Sequence, residues 1–217
     1  MNIDHHLDAA TILAYTAGTL NPAFGVVSAS HIAWCPSCKE AVRRASLIGG
    51  ELLGELEGTA ISQDCKARTM SMIDTATLHR FPYGTPSQGE VPAPLAKFLG
   101  GVALADLKWK SKAPGLAMFD LPLSAASHGR LFLMRIGAGK AMPEHGHGGE
   151  EMTLILSGAY NDTFGRFAQG DVADLDENIE HQPIVEKDLA CICLVATEAP
   201  TRFKSWSARL IQPLIGI

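Results

Sequence analysis

The sequence lacks any excess of positive charge, and this absence limits the partners that the protein can bind directly. Its 217 residues include 18 Lys and Arg against 23 Asp and Glu, a formal net charge of −5, and its basic residues form no marked cluster. Proteins that bind DNA or RNA directly concentrate positive charge on one face. We therefore expect no direct binding to nucleic acid, so that any role in gene control acts through a protein partner.

Long apolar runs are also missing. No segment reaches the roughly 20 apolar residues of a membrane-spanning helix, and the N-terminal MNIDHHLDAA has no basic segment followed by an apolar run. We expect neither secretion nor membrane anchoring, and hence a cytoplasmic location. The five cysteines are an odd number, and two have CxxC spacing, which fits metal-bound thiolates in a reducing compartment better than a disulfide framework.

The apolar content is large enough for a substantial core. Hydrophobic residues make up 47% of the 217 residues, which allows one large domain or two small ones, and we expect two. The first part of the chain has apolar residues at the three-and-four spacing of amphipathic helices. The predicted helices cover residues 7–20, 22 to the cysteine motif, 38–57 with an interruption at Gly49 and Gly50, and 64–79.

The stretch HIAWCPSC, from His31 to Cys38, places one imidazole and two thiols within eight residues. On a helix, His31 and Cys35 share one face and Cys38 lies within one turn of it, although the proline after Cys35 favours a new helix start there. These are zinc ligands, and a tetrahedral structural site needs a fourth, for which His5 and His6 are the nearest upstream candidates. An antiparallel hairpin of the first two helices would bring His6 and His31 to facing ends.

The composition changes between Arg80 and Pro94, where RFPYGTPSQGEVPAP contains four prolines as well as glycines. Such a stretch cannot continue a helix and is typical of an extended linker. Short runs rich in branched and aromatic residues follow, which indicates an all-β barrel or jelly roll. We predict a two-domain α+β protein with a small all-α zinc-binding domain over residues 1–80, a linker over 81–100 and a β domain over 101–217. The predicted strands cover residues 104–109, 115–121, 130–136, 152–156, 158–164, 171–173 and 190–196.

A second set of metal-ligand types lies in the predicted β domain. His145 and His147 are two residues apart, so both side chains can point to one side of a strand, and Glu151 can come from the adjoining strand. A third imidazole, His181, ends the stretch GDVADLDENIEH, which begins with a glycine turn at Gly170. Three imidazoles and one carboxylate form a nitrogen and oxygen site suited to zinc, iron, manganese or nickel.

Two stretches of this part resemble the cupin motifs. Residues 139–158 resemble the first cupin motif in full, and residues 170–181 resemble the second. Asp176 and Asn178 stand where many cupins have proline and glycine, which changes the turn and not the ligand. The resemblance implies a cupin (jelly-roll barrel) fold for the second domain.

The N-terminal part, with His6 ahead of LDAATILAYTAGTL and the triplet His31, Cys35 and Cys38 behind it, resembles the zinc-binding anti-sigma domain. The two domains in this order resemble the ChrR-type anti-sigma factors, nearly from end to end. The family pattern implies that His6, and not His5, is the fourth zinc ligand. The same pattern implies a second metal, zinc in such proteins, held by His145, His147, Glu151 and His181.

The resemblance implies a transcription regulator without catalysis of its own. The helical domain would hold an extracytoplasmic-function (ECF) sigma factor and cover the surfaces that bind core RNA polymerase. The cupin domain would be needed for release under singlet oxygen or related oxidative stress. The alternative is a metal-dependent cupin enzyme, a dioxygenase or isomerase with an accessory helical domain, because such a metal could activate oxygen or polarise a carbonyl. The sequence offers no recognisable substrate-binding set for that alternative.

Two hypotheses describe how the signal would act. In one, oxidation of the thiolates in the N-terminal site removes zinc ligands and collapses a zinc-dependent fold. In the other, the signal acts at the cupin metal or at Cys191 and Cys193, which would face the same side of the strand ACICLVA. The simplest role for these two cysteines is core packing, because buried cysteine behaves as a small hydrophobe.

Overall fold

A computed structural model describes residues 2–75, 90–123, 129–176 and 178–205. The helices are α1 (Ala9–Ala17), α2 (Pro22–Trp34), α3 (Pro36–Gly54), α4 (Cys65–Thr75), α5 (Ala93–Phe98) and a 3₁₀ helix, Leu104–Asp106. The strands are β1 (Lys110–Ala113), β2 (Leu116–Asp120), β3 (Arg130–Ile136), β4 (His145–Gly146), β5 (Glu151–Ser157), β6 (Ala159–Asp162), β7 (Gly165–Ala168), β8 (Val172–Leu175), β9 (Glu180–His181), β10 (Ile184–Val185), β11 (Cys191–Thr197) and β12 (Arg202–Phe203). The predicted helix end at residue 79, the predicted boundary at residue 80 and the chain after residue 205 lie outside the described residues.

Polar caps and prolines set the starts of the first three helices. The Asp8 side chain accepts a 2.6 Å hydrogen bond from an amide in the first turn of α1. Asn21 caps α2 in the same way at 3.1 Å, and Pro22 takes the first helical position, where no N–H is needed. Cys35 has an extended backbone between α2 and α3, and Pro36 opens α3. The break predicted at Cys35 is confirmed.

The arrangement of the first helices differs from the predicted hairpin. α1 packs mainly against α3 and not against α2, so the hairpin interpretation is wrong. His6 precedes α1 in a non-helical segment. α3 also continues through Gly49 and Gly50, where the sequence predicted an interruption. The helix continues there, because each glycine weakens a helix by about 1 kcal/mol without necessarily ending it.

The strands form antiparallel sheets. Within the described ranges, one sheet has the order β1-β2-β3-β11-β5-β8 and is called the main sheet here. Facing it are the ladders β10-β6-β7 and β12-β4-β9. The order of elements, helices first and strands second, confirms the predicted α+β class, and the predicted strands at residues 115–121, 130–136, 152–156, 158–164, 171–173 and 190–196 are confirmed to within a few residues.

Strand β11 is buried on both faces. Cys193 and Val195 point into an interior core between the sheets. Leu194 and Ala196 point to the opposite face and pack in a second core with residues of α2. Because successive side chains of a strand alternate between faces, the run CICLVA is apolar throughout instead of alternating with polar residues. The main sheet therefore has helices on one side and the barrel interior on the other.

The helices share this second core with the sheet. Phe24 and Val27 of α2 are 2% and 0% exposed and belong to the same cluster as Met152 and Leu154 of β5. α2 contacts β3, β5 and β11. The small helical part thus buries its apolar face against the β part instead of forming a separate core. The division of the chain into two domains stays a prediction.

Part of the predicted linker is not an extended spacer. Residues 93–98 form α5, which packs against α2. Leu95 and Leu99 are 0% and 5% exposed and belong to the core that the helices share with the main sheet. Pro94 is compatible with this helix because it lies in the first turn, where its missing N–H has no partner to lose.

The strand predicted for residues 104–109 is wrong. Leu104 opens a 3₁₀ helix, and the indole N–H of Trp109 donates to its carbonyl oxygen at 3.0 Å. Leu104 and Leu107 are both buried, and three residues make one turn of a 3₁₀ helix, so the two side chains lie on the same side. The apolar residues of this segment therefore follow a period of three and not of two.

None of the helices in the described part of the chain is both long and apolar enough to cross a membrane.

The packing of α2 on the main sheet can be tested by substitution. Phe24→Ala is expected to lower the free energy of unfolding by about 3 to 5 kcal/mol, because it removes a buried aromatic side chain from the shared core. Phe164 is 47% exposed and provides the control, for which Phe164→Ala should change the value by less than about 1 kcal/mol. Urea denaturation measures both variants. If both variants lowered the free energy of unfolding by a similarly small amount, the packing of Phe24 in the shared core would be contradicted.

Candidate metal centres

The four residues predicted as the first metal site lie together and are called the N-terminal cluster here. His31 comes from the last turn of α2, Cys35 from the break and Cys38 from the first turn of α3, while His6 enters from the segment before α1. One donor atom of each lies within 4.8 Å of the others. His6 Nδ1 is 3.3 Å from Cys35 Sγ, and His31 Nε2 is 3.2 Å from Cys38 Sγ.

These distances fit a tetrahedral ion. Bonds of about 2.0 Å to nitrogen and about 2.3 Å to sulfur separate neighbouring donors of a tetrahedron by about 3.3 to 3.8 Å. Two imidazoles and two thiols are a donor set that zinc accepts in structural sites. The residues of the N-terminal cluster therefore fit zinc in both chemistry and spacing.

The surroundings prepare His31 as a ligand. Its Nδ1–H donates to the carbonyl oxygen of Gly170 at 2.9 Å, which leaves the lone pair of Nε2 facing Cys38. Burial lowers the pKa of His31 from 6.5 to about 4, so the ring is neutral at neutral pH. Burial raises the pKa of the Cys38 thiol to about 11, an effect that a bound cation would oppose.

The structure separates the two upstream histidines. His6 joins the N-terminal cluster. The ring of His5 instead stacks on Phe167 of β7, with ring centroids 3.9 Å apart, and its Nε2 lies 3.1 Å from the carbonyl oxygen of Arg166. Neighbouring residues of an extended segment point to opposite sides, so only one of the two can face the cysteines.

The second predicted set also converges and is called the C-terminal cluster here. His145 of β4 pairs in register with His181 of β9, His147 follows the end of β4, and Glu151 opens β5. Their donor atoms lie within 4.8 Å of one another, and the imidazole centroids are 4.7 to 5.3 Å apart. Since β4 ends at Gly146, His147 reaches the cluster from a loop and not from the predicted strand.

Two histidines of the C-terminal cluster are held by other groups of the β part. His145 Nδ1–H donates to the carbonyl oxygen of Pro143 at 2.8 Å. His181 Nδ1–H donates to the Asp162 carboxylate at 3.0 Å, and the Asp162 side chain is only 1% exposed. Hydrogen bonds of this kind fix the ring and its tautomer, so that Nε2 is left as the ligand atom.

The protonation states of the C-terminal cluster suit a cation. Burial lowers the pKa of His145 to about 4, which keeps the ring neutral. Burial alone would raise the pKa of Glu151, but the three neighbouring histidines together outweigh it, and the pKa lies below its ordinary value. The cluster therefore presents a neutral His145 ring beside an ionised carboxylate at neutral pH.

The C-terminal cluster also contains polar atoms without partners. Among the described residues, both ring nitrogens of His147 and Nε2 of His181 are buried and make no hydrogen bond. His147 Nδ1 lies 3.3 Å from a Glu151 carboxylate oxygen, but without the geometry of a hydrogen bond. Unpaired buried polar atoms cost about 1 to 3 kcal/mol each, so a metal ion would relieve a penalty that the protein alone leaves. The residues fit a transition metal.

A small cavity of about 40 Å³ opens beside the C-terminal cluster. Its walls are mostly apolar and include sulfur-bearing side chains, and no lysine or arginine is among the described residues that line it. A volume of this size holds a few water-sized molecules. The cavity is therefore too small, and too poor in positive charge, for a large anionic organic substrate.

Cys191 and Cys193 face the same side of β11, as predicted. Both are buried, at 0% and 1% exposure, and their sulfur atoms are 3.9 Å apart, far beyond a disulfide bond. Cys193 lines the cavity beside the C-terminal cluster. The hydrogen bond with Cys191, together with burial, holds the pKa of the Cys193 thiol well above its usual value, so it is protonated at neutral pH.

The groups that hold the histidines in place have no clear mark in the sequence. Asp162, the carbonyl oxygens of Pro143 and Gly170, and the buried carboxylate of Asp171 were not identified. Backbone carbonyls leave no mark in a sequence, and Asp162 and Asp171 resemble ordinary turn residues at strand ends. Only the glycine turn at Gly170 gave a signal, and it indicated a turn and not a metal-site partner.

Comparisons with known proteins agree with this geometry. Residues 100–200 match the family model described as the ChrR Cupin-like domain. The whole chain is 38% identical to the anti-sigma-E factor ChrR of Cereibacter sphaeroides, over 217 residues that cover 100% of both proteins. The crystal structure of Rhodobacter sphaeroides SigE in complex with the anti-sigma ChrR matches with a TM-score of 0.79 and 36% identity, covering 90% of this chain and 99% of that chain. The predicted cupin fold behind a helical segment is confirmed.

A solved enzyme structure is less similar. The polyketide cyclase RemF from Streptomyces resistomycificus is 17% identical over 53% of this chain and 94% of that chain, with a TM-score of 0.42. So low a similarity does not bear on function.

The buried state of His145 predicts a dependence of stability on pH in the metal-free protein. The unfolded chain binds a proton near pH 6.5 and the folded chain only near about 4, so the contribution of His145 to stability is complete above pH 6.5 and is lost as the pH falls towards 4. Between roughly pH 7.5 and roughly pH 5, His145 should account for a loss of about 2 kcal/mol in unfolding free energy. Urea titrations of chelator-treated protein and of His145→Gln measure it. If the unfolding free energy of His145→Gln fell as steeply with pH as that of the unaltered protein, the attribution to His145 would be contradicted.

Proposed function

We propose that this chain, which belongs to the ChrR family of anti-sigma factors, binds an ECF-type sigma factor and keeps it from RNA polymerase. The full-length likeness to the anti-sigma-E factor ChrR, and to its complex with SigE, supports this proposal. The family assignment places the chain among regulators and not among enzymes. The action is on protein and not on nucleic acid, in keeping with the net charge of −5, and its place is the cytoplasm, where sigma factors meet the polymerase.

The observation that carries the proposal is an exposed apolar surface on α3 and α4. The second half of α3 and the segment through α4 place large apolar side chains in solvent, at exposures between 51% and 73%. They are Leu47, Ile48, Leu52, Leu53, Leu56, Ile61, Met70, Met72 and Ile73. Ile48 and Leu52 are four residues apart and lie on one side of α3. A patch of this kind is typical of a protein-binding surface.

The same surface is not needed by the fold. Of the 19 residues of α3, Cys38 is buried, whereas the residues after Ala45 are all exposed. The first half of α3 is fixed by α1 and by the N-terminal cluster, and the second half extends beyond those contacts. A helix that is packed at one end and exposes apolar side chains at the other can bind a partner protein through its exposed end.

We further propose that both clusters hold metal ions. His6, His31, Cys35 and Cys38 would bind zinc, which supplies a structural crosslink between the N-terminal segment and the α2–α3 junction. In small domains such an ion can supply roughly 10 to 16 kcal/mol of apparent binding free energy. His145, His147, Glu151 and His181 would bind a second ion, zinc or another divalent transition metal. The unpaired nitrogens of His147 and His181 support this second site.

The proposed signal is singlet oxygen or a related oxidant, with the cupin required for release of the sigma factor. Both hypotheses on the sensing atoms remain proposals. The thiols of the N-terminal cluster are buried at 1% and 2% exposure, so a bound ion and the packing around it would protect them until the site opens. Cys191 and Cys193 are buried to the same degree, and core packing accounts for their positions.

The partner proposal predicts a site-specific effect on binding. Leu52→Asp should weaken binding of the sigma factor by about tenfold or more, because it places a charge in the centre of the apolar surface. The free energy of unfolding should change by less than about 1 kcal/mol, since Leu52 is 60% exposed. Affinity is measured with the sigma factor that co-purifies with the tagged full chain, identified by mass spectrometry.

Leu189→Asp is the matched control for this substitution. Leu189 is 56% exposed but lies in the β part, before β11, and binding of the sigma factor should be unchanged. If no sigma factor co-purifies with the full chain, the proposed function is wrong. Equal losses from Leu52→Asp and Leu189→Asp would place the binding surface elsewhere.

The metal proposal predicts two independent sites. Cobalt bound beside thiolates gives a sulfur-to-cobalt charge-transfer absorption, and only the N-terminal cluster contains cysteines. His6→Ala should lose this absorption and keep one bound ion, whereas His145→Ala should keep the absorption and lose the other ion. Metal analysis and absorption spectra of cobalt-loaded proteins measure both. Two ions retained by either variant would contradict the assigned ligands.

A further inference from the structure

The turn between β7 and β8 contacts the segment that carries His6. Asp171 is only 2% exposed, and its Oδ1 accepts hydrogen bonds from the amides of Asp4 at 2.8 Å and His5 at 3.0 Å. Its Oδ2 accepts from the amide of Ala168 at 2.8 Å. A buried carboxylate is costly unless it is well paired, and here three backbone amides pair it. Two of those amides belong to residues just before His6.

Further contacts fix the same segment along the edge of the main sheet. The amide of Val172 in β8 donates to the carbonyl oxygen of His5 at 3.4 Å, and the amide of Asp8 donates to the Asp174 carboxylate at 3.2 Å. The His5 ring stacks on Phe167. Hydrogen bonds therefore reach the segment both before and after His6. The position of His6 therefore depends on the cupin as well as on the helices.

The same turn holds a second ligand of the N-terminal cluster. The carbonyl oxygen of Gly170 accepts from Nδ1–H of His31, a residue 139 positions away in the chain, at 2.9 Å. This bond orients the ring and leaves Nε2 for the metal. Gly170 has a φ of 96°, a conformation that favours glycine, so the shape of this turn depends on the glycine. Gly170 thus contacts the ring of His31, and the adjacent Asp171 contacts the backbone just before His6.

We propose that Gly170 and Asp171 of the cupin are positioning residues of the N-terminal metal site, so that the cupin determines how tightly this site keeps its ion. Gly170 orients His31 directly, and Asp171 places His6 through the backbone of the two preceding residues. The N-terminal site is then complete only when the β7–β8 turn is docked. A change in the cupin that shifts the turn loosens the ion without any reaction at the thiols. Its consequence for release of the sigma factor rests on the proposed function, whereas metal retention does not.

The test is the rate at which the full chain, without a sigma factor, loses cobalt from the N-terminal cluster to a chelator. Asp171→Asn keeps the side-chain shape but replaces one accepting oxygen with an NH₂ group, so at least one of the three amides loses its acceptor. The sulfur-to-cobalt absorption should decay about 10 to 100 times faster than in the unaltered protein, as expected for loss of an outer partner of a metal ligand. Cobalt in the C-terminal cluster should be lost at the unaltered rate.

Asp162→Asn is the matched control, because Asp162 is equally buried and holds His181 of the C-terminal cluster. It should show the reverse pattern, with faster loss from the C-terminal cluster and an unchanged decay of the sulfur-to-cobalt absorption. General destabilisation by loss of a buried carboxylate would affect both clusters in both variants. A folded Asp171→Asn protein that keeps its thiolate-bound cobalt within about twofold of the unaltered rate overturns the proposal.

Gly170→Ala decides the question if Asp171→Asn does not fold. A side chain at a φ of 96° is strained, so the turn shifts and its carbonyl oxygen no longer accepts from Nδ1–H of His31 in the same geometry. The thiolate-bound cobalt should be lost several times faster, because the ring of His31 is held less firmly. A rate within about twofold of that of the unaltered protein overturns the proposal. Because no sigma factor is present, either result stands apart from the outcome of the co-purification experiment.

Discussion

Contact between α2 and the outer face of the main sheet is the constraint on which the rest of the structure depends. The helical part is too small to bury a core of its own, and Phe24 and Val27 complete one with side chains of β5 and β11. This packing fixes the C-terminal end of α2, where His31 lies, above the β7–β8 turn. The N-terminal cluster can therefore form only where helices, sheet edge and N-terminal segment meet.

The same constraint explains which apolar residues remain exposed. α2 uses its apolar face against the sheet, and α1 covers the first half of α3. The second half of α3 and α4 contribute little to the buried cores, so their leucines, isoleucines and methionines are free for a partner. The residues that stabilise the helical part are thus different from those of the proposed binding surface. A metal at the α2–α3 junction would hold α3 relative to the sheet without occupying that proposed surface.

Residue spacing was enough to find most members of both clusters, because the spacing of such side chains follows from local geometry. His31, Cys35 and Cys38 fall on successive turns around a helix break, and His145 and His147 lie at one end of a short strand. Patterning also located most strands. It could not locate α5, where prolines suggested a linker, or the docking of helices on the sheet, because these depend on contacts between residues far apart in the chain. The choice of His6 over His5 came from family resemblance. The structure explains it, because neighbouring side chains of an extended segment point to opposite sides and only His6 faces the cysteines.

The two clusters differ in what supports them, and this difference shows where a change in the cupin would reach the N-terminal cluster. The C-terminal cluster is held by Pro143 and Asp162, which belong to the β part like its ligands. The N-terminal cluster takes its ligands from the helical part but contacts Gly170 and Asp171 across the shared core. A distortion of the cupin that shifts this turn would therefore reach the N-terminal cluster through the bonds to His31 and to the backbone before His6. By the same linkage, an ion bound in the N-terminal cluster would favour the docked position of the turn. A signal received in the cupin would pass to the helices by this route.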